Sequence, residues 1–367
     1  MKVVASLGSL VVALVLCAGC SATPSRRALP LFDAMPYAEW RVVGGAARFE
    51  VVSLPPEDRG AGPTLVGQGP IPRNGFLASP RELHDFRLSV EVRLGSAEFP
   101  RGEGMNSGIQ IRSREQDGTI AGLQIEVDPT ERRWSGGVYD ERGRGWLAPL
   151  KDDPAAMAAF RPGEWNLYEI ECVGPRIRTR VNGVACAEWY DGIVSGLLAF
   201  QVHGGKACEV EFRAPRLEEL GAHAWQSRGV EARGQPGESD GWSCAVPRDA
   251  RGVRIDALVG DSTVELRAEC GAVLASIDVP AQARADDPNA NPLNPVPPAQ
   301  PRVVELLWID GRGAALVDGA RAAVLSLKRP VARVFVRGAS ASVGGHAVLQ
   351  AMRGTGVDER CGVAAAR

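Results

Sequence analysis

Between Leu31 and Leu220 apolar and polar residues alternate in short runs, strand after strand. Phe86-Arg-Leu-Ser-Val-Glu-Val-Arg93 has period two, which buries one face of a strand and wets the other. The same alternation returns at Ile109–Arg112, Leu123–Val127, Tyr168–Cys172, Ile177–Val181, Leu198–Val202 and Val210–Arg213. Asn182-Gly183 joins two such runs, and both residues tolerate the positive φ of a two-residue hairpin turn. A helical stripe is expected only in a short stretch around Asp153–Phe160. Many short strands punctuated by Gly and Pro predict an all-β, two-sheet sandwich of the jelly-roll kind.

Leu217–Gln226 reads as the exit from this unit, at 31–220, and Gly229–Asp240 as a polar, Gly-rich connection. Strands are expected again at Gly252–Val259, Ser262–Ala268 and Val273–Val279, so residues 221–367 form a smaller β-rich domain. Ala281–Pro301, rich in Pro, Asn and Ala, interrupts it as a surface insert. Glu169–Val184 aligns without gaps on Glu305–Ala320, sharing the leading Glu, an Arg in the turn, a Val and an Asn-Gly or Asp-Gly hairpin. Two readings stay open: any two hairpins look alike, or the C-terminal half is a degenerate second sandwich.

Composition narrows the function classes. The chain has 42 Lys and Arg against 44 Asp and Glu, so no net field favours nucleic acid. Only four His are present, which argues against a multi-histidine metal centre. At the N-terminus Lys2 precedes an apolar run, Val3–Val15, too short to span a bilayer. The run ends in Leu16-Cys17-Ala18-Gly19-Cys20, which resembles a bacterial lipobox with its leucine one place early. That resemblance implies a signal peptide over 1–20, lipidation of Cys20 (typically with palmitate), a tether over 21–30 and an exported, membrane-anchored lipoprotein on the periplasmic or cell-surface side. An oxidising compartment permits disulfides. Cys172 with Cys186 and Cys244 with Cys270 are conceivable pairs, and buried free thiols are the alternative.

A set of motifs then makes the first unit recognisable. In order they are Leu31-Phe32-Asp33 with Trp40-Arg41, Phe76-Leu77-Ala78-Ser79, Asn106-Ser-Gly-Ile-Gln-Ile-Arg-Ser-Arg114 and Ala121-Gly-Leu-Gln-Ile-Glu126. Trp134-Ser-Gly-Gly-Val-Tyr-Asp-Glu141, Pro162-Gly-Glu-Trp-Asn166, Val181-Asn182-Gly183 and Gln201-Val-His-Gly-Gly205 follow. Together they resemble the 3-keto-disaccharide hydrolase family, also described as 3-keto-α-glucoside lyase and 3-keto-glucal hydratase, over roughly residues 30–220. The resemblance implies a concanavalin-like, laminin-G-like jelly roll acting on sugars already oxidised at C3. Leu123 departs from it, since many relatives carry Tyr there, and an aromatic wall of the pocket is expected to be absent.

A ketone at C3 acidifies the hydrogen on C2, so a base can remove it while the glycosidic oxygen leaves C1; water can then add to the enone. Such a site needs a carboxylate base, an acid or polariser, and partners for sugar hydroxyls. Glu126, two residues after Gln124 on one strand face, is the first candidate base. His203, at a strand end before Gly204 and Gly205, suits acid–base exchange. Glu141, in a turn with Tyr139 and Asp140, is the second carboxylate. Arg112, read as sharing a face with Gln110, is a candidate donor to a ketone or hydroxyl oxygen, with an ordinary ion pair to a sandwich carboxylate as the alternative. Asn106, Gln124 and Tyr139 are candidates for sugar hydroxyls, and Trp134 and Trp146 for stacking on a pyranose or for the core. No cofactor is called for; a divalent metal could polarise the ketone, but no ligand cluster demands one. The rivals are a non-catalytic carbohydrate-binding lipoprotein on the same fold and a conventional two-carboxylate glycosidase using Glu126 and Glu141.

Overall fold

The computed structural model describes residues 27–52, 62–94, 106–205, 209–227, 241–258, 262–279, 302–338 and 349–355. Cys20 with its leader, and the Ala281–Pro301 insert, lie outside the described residues. The first sandwich is built from β1 (Leu29–Pro30), β2 (Arg41–Gly44), β3 (Arg48–Val52), β4 (Thr64–Gln68), β5 (Gly75–Ala78), β6 (Asp85–Leu94), β7 (Ser107–Gln116) and β8 (Thr119–Val127). It continues through β9 (Val138–Glu141), β10 (Gly145–Ala148), β11 (Asn166–Val173), β12 (Arg176–Val181), β13 (Val184–Tyr190), β14 (Leu197–Val202) and the long β15 (Glu209–Ser227). Two short helices, α1 (Leu31–Ala34) and α2 (Pro154–Met157), complete it. The second is α2, where the apolar stripe predicts a helix, and the Asp153 carboxylate caps it by accepting from Ala156 N at 3.0 Å.

A seven-stranded sheet, in the order β10-β9-β8-β7-β14-β5-β2, faces β13-β12-β11-β6-β15 of the larger sheet. Alternation decides what lies between them. Leu88, Val90 and Val92 of β6, Ile109 and Ile111 of β7, Leu123, Ile125 and Val127 of β8, and Phe200 of β14 are all buried in one core. Leu123 is among them, so the departure noted in the sequence removes no pocket wall: the residue faces the core with no exposed surface.

Beyond β15 come β16 (Gly241–Ala245), β17 (Gly252–Leu258), β18 (Ser262–Arg267), β19 (Val273–Val279), β20 (Arg302–Ile309), β21 (Arg312–Val317), β22 (Ala320–Ser326), β23 (Arg333–Gly338) and β24 (Leu349–Thr355). They make a second, smaller sandwich, in which β16-β23-β18-β19 packs on β24-β17-β20-β21-β22 across its own core of Val253, Ile255, Val264, Leu266, Val334 and Val336. Its wiring repeats that of the first. The pairings β6–β15, β6–β11, β11–β12, β12–β13, β7–β8, β7–β14 and β14–β5 recur as β17–β24, β17–β20, β20–β21, β21–β22, β18–β19, β18–β23 and β23–β16. The aligned hairpins fall at matching places, with Asn182 and Asp318 both at positive φ (51° and 50°) before Gly183 and Gly319. The C-terminal half thus repeats the strand pairing of the first sandwich, turn for turn at this hairpin.

The two sandwiches are continuous. β15 pairs with β24, joining both halves into one 13-stranded sheet, and Leu307, Ile309, Leu316 and Met352 pack into the first core. Across the junction Arg176 pairs with Asp310 at 3.3 Å, and Trp225 Nε1 donates to the Gly192 carbonyl at 2.8 Å. Cys172, Cys186 and Cys270 are free thiols, the first buried among apolar residues.

Candidate functional site

The seven-stranded sheet turns its second face away from the core, and on it the period-two alternation lines up polar side chains. Gln110 of β7 stands opposite Gln124 of β8, which stands opposite Tyr139 of β9, in turn opposite Trp146 of β10. Gly108 stands opposite Glu126. A Cβ on Gly108 would lie 2.3 Å from Gln124 Cδ, so the absence of a side chain there lets the glutamine lie over the strand. The sheet curls strongly, and Asn74, just before β5, donates across the concavity to Glu141 of β9 at 3.4 Å. One end of this face is filled by Val43, Phe76, Ala78, Ile120 and Ala199.

A chain of amides leads to one carboxylate. Gln110 and Gln201 both donate to Gln124 Oε1, at 2.6 and 3.0 Å, and Gln124 Nε2 donates to Glu126 Oε2 at 2.8 Å. Asn106 and Arg132 donate to Glu126 Oε1 at 3.2 and 3.0 Å. Arg132 is itself fixed by Asp128 at 2.7 Å, and its guanidinium lies 4.8 Å from the centre of Trp146 and 5.3 Å from that of Trp134. Burial, at 2 % exposure, pushes the Glu126 carboxyl up to about 7 despite the opposing hydrogen bond from Gln124 and the Arg132 charge. A carboxyl poised there exchanges a proton near neutrality.

An aromatic wall borders the carboxylate. Trp134 and Trp146 meet edge to face at 4.7 Å and 82°, and Tyr139 meets Trp146 at 5.2 Å. All three are partly exposed, as a sugar-stacking surface requires. Burial raises the Tyr139 phenol, and the charges of Glu141 and Glu126 raise it further, so this ring lies in the field of both acids. Burial also raises Glu141, against the Asn74 hydrogen bond.

The fold thus brings together Glu126, Gln124, Asn106, Tyr139, Trp134 and Trp146 of the expected residues. Glu141 lies on the same concave face but is held by Asn74 at its far side. It stands opposite Gly122, four residues along β8 from Glu126, or about 13 Å at 3.3 Å per residue. His203 follows the end of β14; burial lowers its pKa, leaving the imidazole neutral at pH 7, and no hydrogen bond joins it to Glu126. Its neighbour Gly204 donates to Asn74 at 2.8 Å, which ties this end of β14 to the Glu141 side.

Arg112 is a correction. A bulge between Ile111 and Arg114 puts it in the left-handed region at φ 47° and breaks the alternation that would have set it beside Gln110. Its side chain points inward with no exposed surface, donates to the Ile193 carbonyl at 3.1 Å and lies 3.8 Å from Asp85. It cannot meet a substrate on the other face.

Sequence reasoning missed Arg132, Asp128, Gln110, Gln201 and Asn74. The two glutamines sit in quoted motifs and share the phase of Gln124, a legible signal. Arg132 lies in an irregular turn after β8, and only the folded turn aims it at Glu126. Gln201 Oε1 is buried without a hydrogen-bond partner. Among the described residues no group of three or more His, Cys, Asp or Glu is placed to hold a metal ion.

The family model of the 3-keto-alpha-glucoside-1,2-lyase-like domain matches residues 28–218. No curated protein sequence matches the chain. Among solved structures the chain is similar to a carbohydrate-binding module from Bacillus subtilis at 14 % identity and TM-score 0.35, covering 49 % of this chain and 95 % of that one. It is also similar to a Parabacteroides distasonis protein described as a glycosyl hydrolase, at 16 % identity and TM-score 0.34 over 53 % and 94 % of the two chains. A Bacillus subtilis protein with a galectin-like fold matches at 12 % identity and TM-score 0.36, over 50 % and 90 %.

Proposed function

The chain belongs, through residues 28–218, to the 3-keto-alpha-glucoside-1,2-lyase-like domain family, and from that premise we propose that it cleaves 3-keto-glycosides with Glu126 as the base. The carrying observation is the buried Glu126 carboxyl, raised to about 7 and fixed by hydrogen bonds from Gln124, Asn106 and Arg132 beside an aromatic wall.

The deprotonated Glu126 takes the hydrogen from C2 of the oxidised ring. The electron pair of that C–H bond forms the C1=C2 double bond, and the C1–O bond breaks. The leaving oxygen takes a proton from the solvent or from a donor on the Tyr139 side. Water added across the new double bond, with the proton returned by Glu126, completes the hydration. Arg132 supplies positive charge where the enolate oxygen develops, the role first sought in Arg112. Gln124, held by Gln110 and Gln201, fixes the geometry of the base, while Trp146 and Trp134 offer a face to the pyranose. His203, kept neutral, is a hydrogen-bond partner at the rim rather than a cation.

The spacing of the acids disfavours the conventional glycosidase. Roughly 13 Å of strand separates positions whose carboxylates would need to lie about 5–9.5 Å apart across a bond, and their partners pull them to opposite sides. The deciding experiment incubates the protein with a 3-keto-disaccharide and with its unoxidised parent. Product from the keto sugar alone is expected, with deuterium from D₂O entering C2. Product from the parent would indicate an ordinary glycosidase, and product from neither a binding protein. We further propose that the protein works outside the cytoplasm, tethered by a lipid on Cys20. Metabolic labelling with palmitate is expected to vanish in Cys20→Ser.

A further inference from the structure

The second sandwich carries a cavity of its own. It measures about 430 Å³ and opens at the end where the turn after β16, the β20–β21 turn and the β22–β23 connection meet. Arg248, Arg251, Lys328 and Arg329 line it, together with Trp308. The only acid on its lining is Asp310, which is already paired with Arg176 of the first sandwich. Arg248 meets Glu269 at 3.5 Å, but both side chains are more than four-fifths exposed, so that pair neutralises little.

The other three cations have no carboxylate within ion-pair distance among the described residues. Among the described residues the Arg251 side chain donates to the Ala250 carbonyl, at 3.4 Å, and that of Arg329 to Cys270 Sγ, at 3.3 Å. On the outer face of the first sandwich many cations are paired. Arg81 with Glu219, Arg87 with Glu171, Arg93 with Glu211, Arg178 with Glu188 and Arg213 with Glu91 run in ladders over the first sandwich. On a chain of net charge −2, several unneutralised cations gathered in one concavity focus a positive field. The volume falls in the range of small-molecule pockets, about 300–1,000 Å³. Trp308 is packed into the second core and only 7 % exposed, so it offers the cavity an edge rather than a face; an apolar edge beside cations suits a ring with an acidic substituent better than it suits a bare anion.

We propose that this cavity binds a carboxylate-bearing sugar unit, such as a uronic acid residue of an acidic polysaccharide. Arg251, Lys328 and Arg329 hold the carboxylate, and Trp308 contacts the ring.

The test is calorimetric titration of the full chain with α-1,4-linked trigalacturonate and, as a neutral counterpart, maltotriose. Trigalacturonate is expected to bind, with affinity that falls as salt is raised. Lys328→Gln, on an exposed side chain, is expected to weaken it about tenfold, and Arg251→Gln with Lys328→Gln about a hundredfold, as for the loss of one and two charged hydrogen bonds. Circular dichroism checks that both variants keep their strands. No binding of trigalacturonate, equal binding of maltotriose, tighter binding of inorganic phosphate, or affinity unchanged by Lys328→Gln would overturn the proposal. So would preferential binding to phosphatidylglycerol vesicles. Binding is read without turnover, so the result stands whatever reaction the first sandwich performs.

Discussion

The two sandwiches share a wiring diagram and differ on the face that the wiring leaves free. On the first, β7, β8 and β14 present Gln110, Gln124, Gln201 and Glu126, and the one carboxylate stays buried and raised towards neutrality. On the second, the corresponding strands β18 and β23 present Glu265, Arg267, Phe335 and Arg337. There Glu265 meets Arg267 at 2.7 Å and Arg337 at 3.6 Å, and both guanidinium groups lie over Phe335, at 4.3 and 5.1 Å. The Glu265 carboxylate is spent on two ion pairs within its own sheet; the Glu126 carboxylate, held by amides and a single arginine, keeps its proton within reach. Backbone pairing and an apolar inner face suffice to keep a jelly roll, so a second copy can keep its turns while its outer face changes chemistry.

This contrast can be broken most forcefully at the two carboxylates. Glu126→Gln keeps the shape and removes the base, and turnover of a 3-keto-disaccharide is expected to fall about 10²–10⁴-fold. Glu265→Gln is expected to leave the rate unchanged, and initial rates on both proteins check the pair. A loss of rate at Glu265 alone would reverse the assignment of the two faces. The pH dependence follows from the raised carboxyl. Glu126 must be ionised to accept the C2 proton, so the rate is expected to rise with pH through about 7 and then level off. Ionising a carboxyl whose folded pKa lies above its unfolded value costs folded-state stability, beginning above the unfolded pKa and complete once pH exceeds about 7. Glu126→Gln is therefore expected to match or exceed the wild-type melting temperature at pH 8, measured by calorimetry.

Smaller effects sharpen the same picture. Arg132 lowers the Glu126 pKa through its charge, so Arg132→Met is expected to move the limb of the pH–rate profile upward as well as reduce kcat. Leu123→Tyr would place a ring at a position that faces a full core. Overpacking is expected to cost about 1–3 kcal/mol with no gain in substrate affinity, read from denaturant unfolding and KM. A chain shortened to end at Leu220 is expected to melt lower than the full protein, because Leu307, Ile309, Leu316 and Met352 pack on the first core. That experiment measures how far the sandwiches depend on one another.

What the sequence determined by itself was local and periodic. Alternation gave the strands of both halves, Asn182-Gly183 and Asp318-Gly319 marked equivalent turns, and the offset between Glu169–Val184 and Glu305–Ala320 anticipated the repeat. Gln124 and Glu126 were legible as a pair because two residues on one strand must share a face. Tertiary structure decided everything that depends on a broken period or on distance. A bulge sent Arg112 to the wrong side of its sheet, since one extra residue reverses every side chain beyond it. The alternation that placed Gln124 outward placed Leu123 in the core, and the family comparison alone could not say so. Glu141 and Glu126 belong to one concave face yet stand four residues apart along β8, a separation set by register. Arg132 reaches Glu126 only because a turn of no regular period folds back over β8, and burial of that carboxyl, which sets its proton affinity, is a property of the closed sheet rather than of any residue in it.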